Sequence, residues 1–208
     1  MFTTILSAGQ QALLERLSAD PAVRTFYLAG GTALALHLGH RRSVDFDFFR
    51  PQPFEPAELL SRFASIGTAV VRRAESGSLT IDIGGIAMSF FAYTYPLIRP
   101  LVPSPWSVGV AAIEDIAAMK VSAIAGRGSR KDFVDLYFVC REVLGLEQVL
   151  QLFEEKFHGV PYELYHVLKS LAFFDDADAE LMPEMLRPAS WDDIKEFFRV
   201  RVPGLLRE

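Results

Sequence analysis

The chain has 208 residues, 50% of them hydrophobic, with a formal net charge of −5. At this length a chain buries roughly 70% of its unfolded surface, so a core forms without disulfides or structural metal ions. The acidic balance excludes a protein that coats nucleic acid through a broad basic surface, but not one with a local basic cleft.

Residues 1–6 lack the basic start and long apolar stretch of a signal peptide, and no apolar run approaches the roughly 20 residues of a membrane helix. The expectation is a soluble, cytoplasmic protein. Residues 4–18 carry apolar side chains at helical spacing, with Pro21 just beyond. A short buried strand over 26–29 is broken by Gly30-Gly31-Thr32, and residues 33–38 read as helix. Residues 44–49 alternate as a strand. A helix over 55–66 is followed by strands over 68–72, 79–83 and 86–93, with Gly84-Gly85 as a two-residue hairpin turn. Pro96, Pro100, Pro103 and Pro105 mark an extended connection. Beyond it, residues 113–125, 130–143, 146–157, 162–172 and 190–200 carry helical spacing. Cys140 cannot close an internal bridge and reads as a small core residue, which fits a reducing compartment. The acidic run Asp175, Asp176, Asp178, Glu180 reads as a solvated loop. Strands and helices first, then helices alone, predict an α+β core over 1–105 and a helical lobe over 106–208.

Three constellations carry chemistry. Gly30 and Gly31, between a strand and a helix, let backbone N–H groups approach an anion, and the helix N-terminus adds favourable partial charge. Thr32 donates to a phosphate or caps the helix. In Arg42-Ser43-Val44-Asp45-Phe46-Asp47-Phe48, residues two apart on a strand share a face. Asp45 and Asp47 then face one way and Phe46 and Phe48 the other. Asp is depleted in strands, and two carboxylates at a strand edge suit Mg²⁺. The glycine turn lies some 14 residues earlier, enough for one helix to cross and return to an adjacent strand. Third, Lys120 lies in an apolar helix and needs a carboxylate or phosphate partner. The run 120–131 holds four cations, Lys120, Arg127, Arg130 and Lys131, and no acid. Ser129 with Asp132 predicts a capping box. Asp135, one turn on, is expected to pair with Lys120, Arg127 or Lys131. The four histidines show no metal-ligand spacing.

Taken in order, Leu28-Ala29-Gly30-Gly31-Thr32-Ala33-Leu34, Arg42 to Phe48, Lys120 and Lys131-Asp132-Phe133-Val134-Asp135-Leu136 resemble the AbiEii/AbiGii toxin family of nucleotidyltransferase-like proteins, over about residues 25–140. The resemblance implies a polymerase-β-type nucleotidyltransferase fold, a small mixed sheet with flanking helices and a C-terminal helical lobe. It implies transfer of a nucleotide from a nucleoside triphosphate to an RNA, tRNA among the options, or to a protein, within a toxin–antitoxin or abortive-infection system with a cognate antitoxin. Asp45 and Asp47 would bind Mg²⁺ and act in catalysis with Lys120 and Asp135. Gly30, Gly31, Thr32, Arg42, Ser43, Arg127 and Lys131 would hold the nucleotide. The sequence departs from this pattern at one place. The strand expected to supply a third carboxylate carries Ser89, and Asp82 lies across the hairpin. The alternative is therefore a catalytically degenerate nucleotide- or partner-binding protein of the same fold.

Overall fold

The computed structural model describes residues 1–205; the last three residues of the expected lobe, 206–208, lie outside the described residues. Strands β1 (Tyr27–Ala29), β2 (Phe46–Arg50), β3 (Ala69–Glu75), β4 (Ser78–Ile83), β5 (Ile86–Ala92) and β6 (Gly109–Val110) form one mixed sheet in the order β3-β4-β5-β2-β1-β6. β1 runs antiparallel to β2, while β2 and β5 are parallel, as are β1 and β6. The β4–β5 hairpin turns at Gly84 and Gly85, whose φ values of 63° and 82° are those a type I′ turn requires at both central positions. β6 lies beyond the proline-rich segment and was not predicted; two residues are too few to show a period.

The alternation in β2 sorts the sheet into two faces. Phe46 and Phe48 are buried with Phe90 of β5, and Phe48 stacks on Phe90 at 4.8 Å. Helix α3 (Pro56–Phe63) closes this face by setting Phe63 5.3 Å from Phe90. The opposite face carries Tyr27, Asp47, Phe49 and Ser89, paired by register across β1, β2 and β5.

Helix α1 (Ala8–Ala19) begins later than residue 4 because Ser7 caps it. Its hydroxyl accepts from the Gln10 N–H at 3.2 Å, and the Gln10 side chain accepts from the Ser7 N–H at 2.9 Å. Gln10 also donates to the carbonyls of Ser43 and Val44, at 3.0 and 3.1 Å, and so anchors the chain entering β2.

Helix α2 (Gly30–Leu38) follows β1, and the C-terminal half supplies α4 (Ile113–Arg127), α5 (Arg130–Glu142), α6 (Leu146–Lys156), α7 (Leu164–Ser170), α8 (Asp175–Asp178) and α9 (Trp191–Leu205). Helix α4 is central, packed against α2, α5, α6 and α7. Its first turn is tied down by Asp115, buried against Lys156 at 2.7 Å and accepting from the N–H groups of Ile98 and Arg99.

Two expectations are corrected at the α4–α5 junction. Ser129 does not form a capping box with Asp132. Its hydroxyl donates instead to Glu180 at 2.7 Å, because Lys120 and Arg127 occupy the Asp132 carboxylate. The acidic run is solvent-exposed as expected, but it is not an irregular loop. Asp175–Asp178 form a helical turn, Glu180 also accepts from the Arg130 N–H at 2.9 Å, and Asp178 accepts from the Trp191 indole. Cys140 is half-buried, and burial pushes its thiol up to about 12, which keeps it protonated. Among the described residues no helix is long and apolar enough to cross a membrane.

Candidate active site

Both glycines fall inside the first turn of α2, which starts three residues earlier than predicted. Ala29 offers no side-chain cap, so the first N–H groups of the helix stay available to an anion. Gly30 is required twice over. Its φ is +69°, and a Cβ there would lie 2.5 Å from Asp47 Oδ2. The β1–β2 register causes this, since Ala29 pairs with Asp47. A Cβ on Gly31 would lie 2.5 Å from Arg41 Nη2. Gly30→Ala is expected to destabilise the fold by about 2 kcal/mol or more, from the left-handed backbone and the clash together. Urea denaturation checks this; an unchanged midpoint would show that the loop does not press on Asp47.

Asp45 precedes β2 and is exposed, while Asp47 lies on the strand and is half-buried. Thr32 is buried, and its hydroxyl donates to the Asp45 carbonyl. In this structure it therefore fixes the Asp45 backbone and turns no hydroxyl to solvent. Burial pushes the Asp47 carboxyl above its ordinary range and the Asp45 charge adds to this, against the opposing fields of Lys120, Lys131 and Arg127. Neither Asp45 nor Asp47 forms an ion pair among the described residues.

Behind this pair runs a buried charge network. Lys120 Nζ meets Asp132 Oδ1 at 2.7 Å and Asp135 Oδ2 at 2.5 Å. Arg41 grips Asp135 with two N–H groups, at 2.7 and 2.8 Å. His40 Nε2 lies 2.7 Å from the same carboxylate, and its Nδ1 is buried with no partner, so the proton belongs on Nε2. Arg127 reaches Asp132 at 2.8 Å from a more exposed position. Burial alone would raise the Asp135 carboxyl; the charges of Arg41 and Lys120, with the His40 hydrogen bond, hold it well below the usual carboxylate range. Lys120 is likewise kept charged, because Asp135 and Asp132 outweigh its desolvation.

The structure thus brings Gly30, Gly31, Asp45 and Asp47 to one edge of the sheet, with Lys120, Arg127 and Lys131 in electrostatic range of Asp47. Lys131 is exposed and makes no ion pair among the described residues. Asp135 is fully buried and reaches the edge only through Lys120 and Arg41. Arg42 turns outward to Glu184 at 2.8 Å, away from Asp47. Ser43 is half-buried beside Gly31, with its hydroxyl 3.4 Å from where a Gly31 Cβ would stand. Arg41 and His40 were missed. The only signal was the Arg41-Arg42 doublet, and nothing in it marks which arginine turns inward.

Ser89 is the register partner of Asp47, the position of the missing carboxylate, and its hydroxyl lies 3.3 Å from that of Thr80. Asp82 pairs with Ala87 and accepts from the Gly85 N–H at 2.9 Å, so it caps the hairpin turn. Among the described residues no three His, Cys, Asp or Glu side chains are grouped to hold a metal.

A mixed sheet carrying a glycine-opened helix beside an Asp-x-Asp strand, with helices packed on its other side, is the nucleotidyltransferase fold of polymerase-β type. The chain overlays on MenT4, a nucleotidyltransferase toxin of Mycobacterium tuberculosis, with a TM-score of 0.64 and 18% identity, covering 95% of this chain and 82% of that one. It also overlays on the antibiotic-resistance factor ANT(2'')-Ia, with a TM-score of 0.54 and 17% identity, covering 72% and 92%. At such identities the likeness is one of fold. Residues 12–200 match the family described as nucleotidyl transferase AbiEii toxin, Type IV TA system, and the chain belongs to that family. An uncharacterized protein of Aquifex aeolicus is 35% identical over 205 residues, 97% of this chain and 98% of its own length. The family likeness therefore extends well beyond residues 25–140.

Proposed function

We propose that the protein is a Mg²⁺-dependent nucleotidyltransferase, the toxin of a toxin–antitoxin or abortive-infection pair. It would act in the cytoplasm on an RNA, tRNA included, or on a protein, with a cognate antitoxin as its partner. One observation carries this reading. Asp47 is desolvated beside Asp45, neither carboxylate is paired among the described residues, and the Gly30 backbone lies against it. Two under-neutralised carboxylates suit a hard dication. Mg²⁺, when bound by Asp45 and Asp47, supplies charge neutralisation at the reacting phosphate.

The remaining contributions come from the chain itself. The N–H groups at Gly30 and Gly31, with the α2 dipole, bind the triphosphate tail. Arg127 and Lys131 add positive charge where pyrophosphate leaves. Lys120 and Asp135 are positioning residues that hold Asp132, Arg127 and Arg41 in place. The acceptor hydroxyl then attacks the α-phosphate in line, its O–P bond forming as its proton passes to water and the bond to pyrophosphate breaks.

Ser89 opposite Asp47 favours the second reading, a protein that binds nucleotide without turnover. Incubation with Mg²⁺, total cellular RNA and each α-labelled nucleoside triphosphate separates the two. Label moved by the wild type but not by Asp45→Ala/Asp47→Ala establishes transfer and the acceptor class. Mg²⁺-dependent nucleotide binding with no label in RNA or protein would establish the second reading instead.

A further inference from the structure

On the flank of α4 facing α6 and α7 lies a cavity of about 600 Å³, within the size range of small-ligand pockets. Four aromatic rings line it, those of Tyr95, Phe153, Phe157 and Tyr162, and Ser122 and Gly126 of α4 contribute its helical wall. The rings form a continuous set: Tyr95 to Phe157 at 4.8 Å, Phe157 to Phe153 at 4.9 Å and Phe153 to Tyr162 at 4.9 Å. Tyr95 and Tyr162 keep part of their ring surface exposed.

Two connections join the cavity to the Asp pair. On the sheet, Phe49 shares the face of Asp47 and leads through Tyr93, at 5.3 Å, to Tyr95, a further 4.9 Å on. On α4, Gly126 precedes Arg127, whose charge acts on Asp47. Gly126 itself relieves no strain and no clash. Its φ is not positive, and a Cβ there would meet nothing within 4 Å. Glycine weakens a helix, and the visible effect of this one is to leave the cavity wall bare.

We propose that the cavity receives an unpaired base of an RNA acceptor, stacked against these rings. The proposal rests on the nucleotidyltransferase reading of the adjoining site. Helix α2, which opens with the glycine loop, packs on α4 and α5, whereas the cavity lies on the other flank of α4. In an in-line displacement the attacking and leaving oxygens stand on opposite sides of the phosphorus. With pyrophosphate held at the glycine loop, the proposal assigns the opposite flank of α4, and with it the cavity, to the acceptor. Stacking on aromatic side chains is the sequence-tolerant way to hold unpaired RNA bases.

The test is a titration of a short single-stranded RNA, with 2-aminopurine as its 3′-terminal base, by the full chain in Mg²⁺ without nucleotide. Stacking quenches the fluorescence of that base. Wild type is expected to quench it. Gly126→Leu, which fills open space, and Tyr162→Leu, which removes a ring, are each expected to weaken binding about tenfold, with melting temperature and binding of labelled nucleoside triphosphate unchanged. Three results overturn the proposal: no quenching by wild type, RNA binding unaffected by both substitutions, or loss confined to a 2-aminopurine nucleoside triphosphate, which would make the cavity the incoming nucleotide's base site. Because the titration needs no turnover, a protein that transfers nothing can still pass it. A protein that labels only protein can fail it while the transferase reading stands.

Discussion

Asp47→Asn is expected to lower transfer on the order of a thousandfold, the scale on which removal of a charge-stabilising group is felt, while leaving the metal-free protein at least as stable as wild type. Burial and the neighbouring Asp45 raise the affinity of this carboxylate for a proton. The folded state therefore holds that proton to higher pH than the unfolded chain does. Its contribution to stability falls as pH rises from the ordinary carboxylate range through the raised value. An ionised Asp47 is thus held at a cost, which asparagine removes. Mg²⁺ should raise the melting temperature of wild type at pH 7 and leave Asp47→Asn unmoved. Melting curves with and without Mg²⁺, beside the transfer assay, check both halves. A Mg²⁺ shift that survives in Asp47→Asn would falsify the assignment of this residue as the metal ligand.

Asp135→Asn should be the most damaging change to the fold. The carboxylate is fully buried and answers two buried cations, Arg41 and Lys120, as well as His40. Its loss leaves the buried Arg41 without a counter-charge and Lys120 with Asp132 alone, and breaking a buried pair in this way costs about 3–5 kcal/mol. In a chain of this size that corresponds to a fall in melting temperature of roughly 6–20 °C. The pH dependence has the opposite sign to that of Asp47. Because the folded carboxyl is held well below the usual range, its stabilisation is fully present above the unfolded value. It is lost as pH falls toward the folded one. Wild type should therefore lose stability steeply on acidification below that range, and Asp135→Asn should show a flatter acid limb from a lower plateau. Should the variant melt like wild type while transfer disappears, Asp135 would be a group that acts on substrate and not a positioning residue.

The parts of the site that were legible in the sequence are those whose signal is local. Gly30-Gly31 interrupts an apolar strand, and Asp45 and Asp47 alternate with Phe46 and Phe48, so a turn beside a two-faced strand could be read directly. Lys120 announced a buried partner by standing in an apolar helix, and the structure supplies two, Asp132 and Asp135. What escaped depends on distant segments. Arg41 and Arg42 are adjacent and chemically alike, yet one is buried on Asp135 and the other exposed on Glu184. That choice is made by residues 94 and 142 positions away. Asp132 has the spacing of a cap, but a buried lysine and an arginine compete for it and win. Glu180 takes over the Ser129 contact from a run whose composition alone reads as solvated.

The Arg41–Asp135 pair spans 94 residues of chain, and this sets the order in which the protein comes into being during synthesis. The glycine loop and both aspartates leave the ribosome early, but nothing yet neutralises Arg41 beneath them. A chain interrupted before α5 holds Arg41 and Lys120 without their counter-charges, and the sheet edge has no floor. The charge network beneath the Asp pair therefore closes only once the helical half has been made.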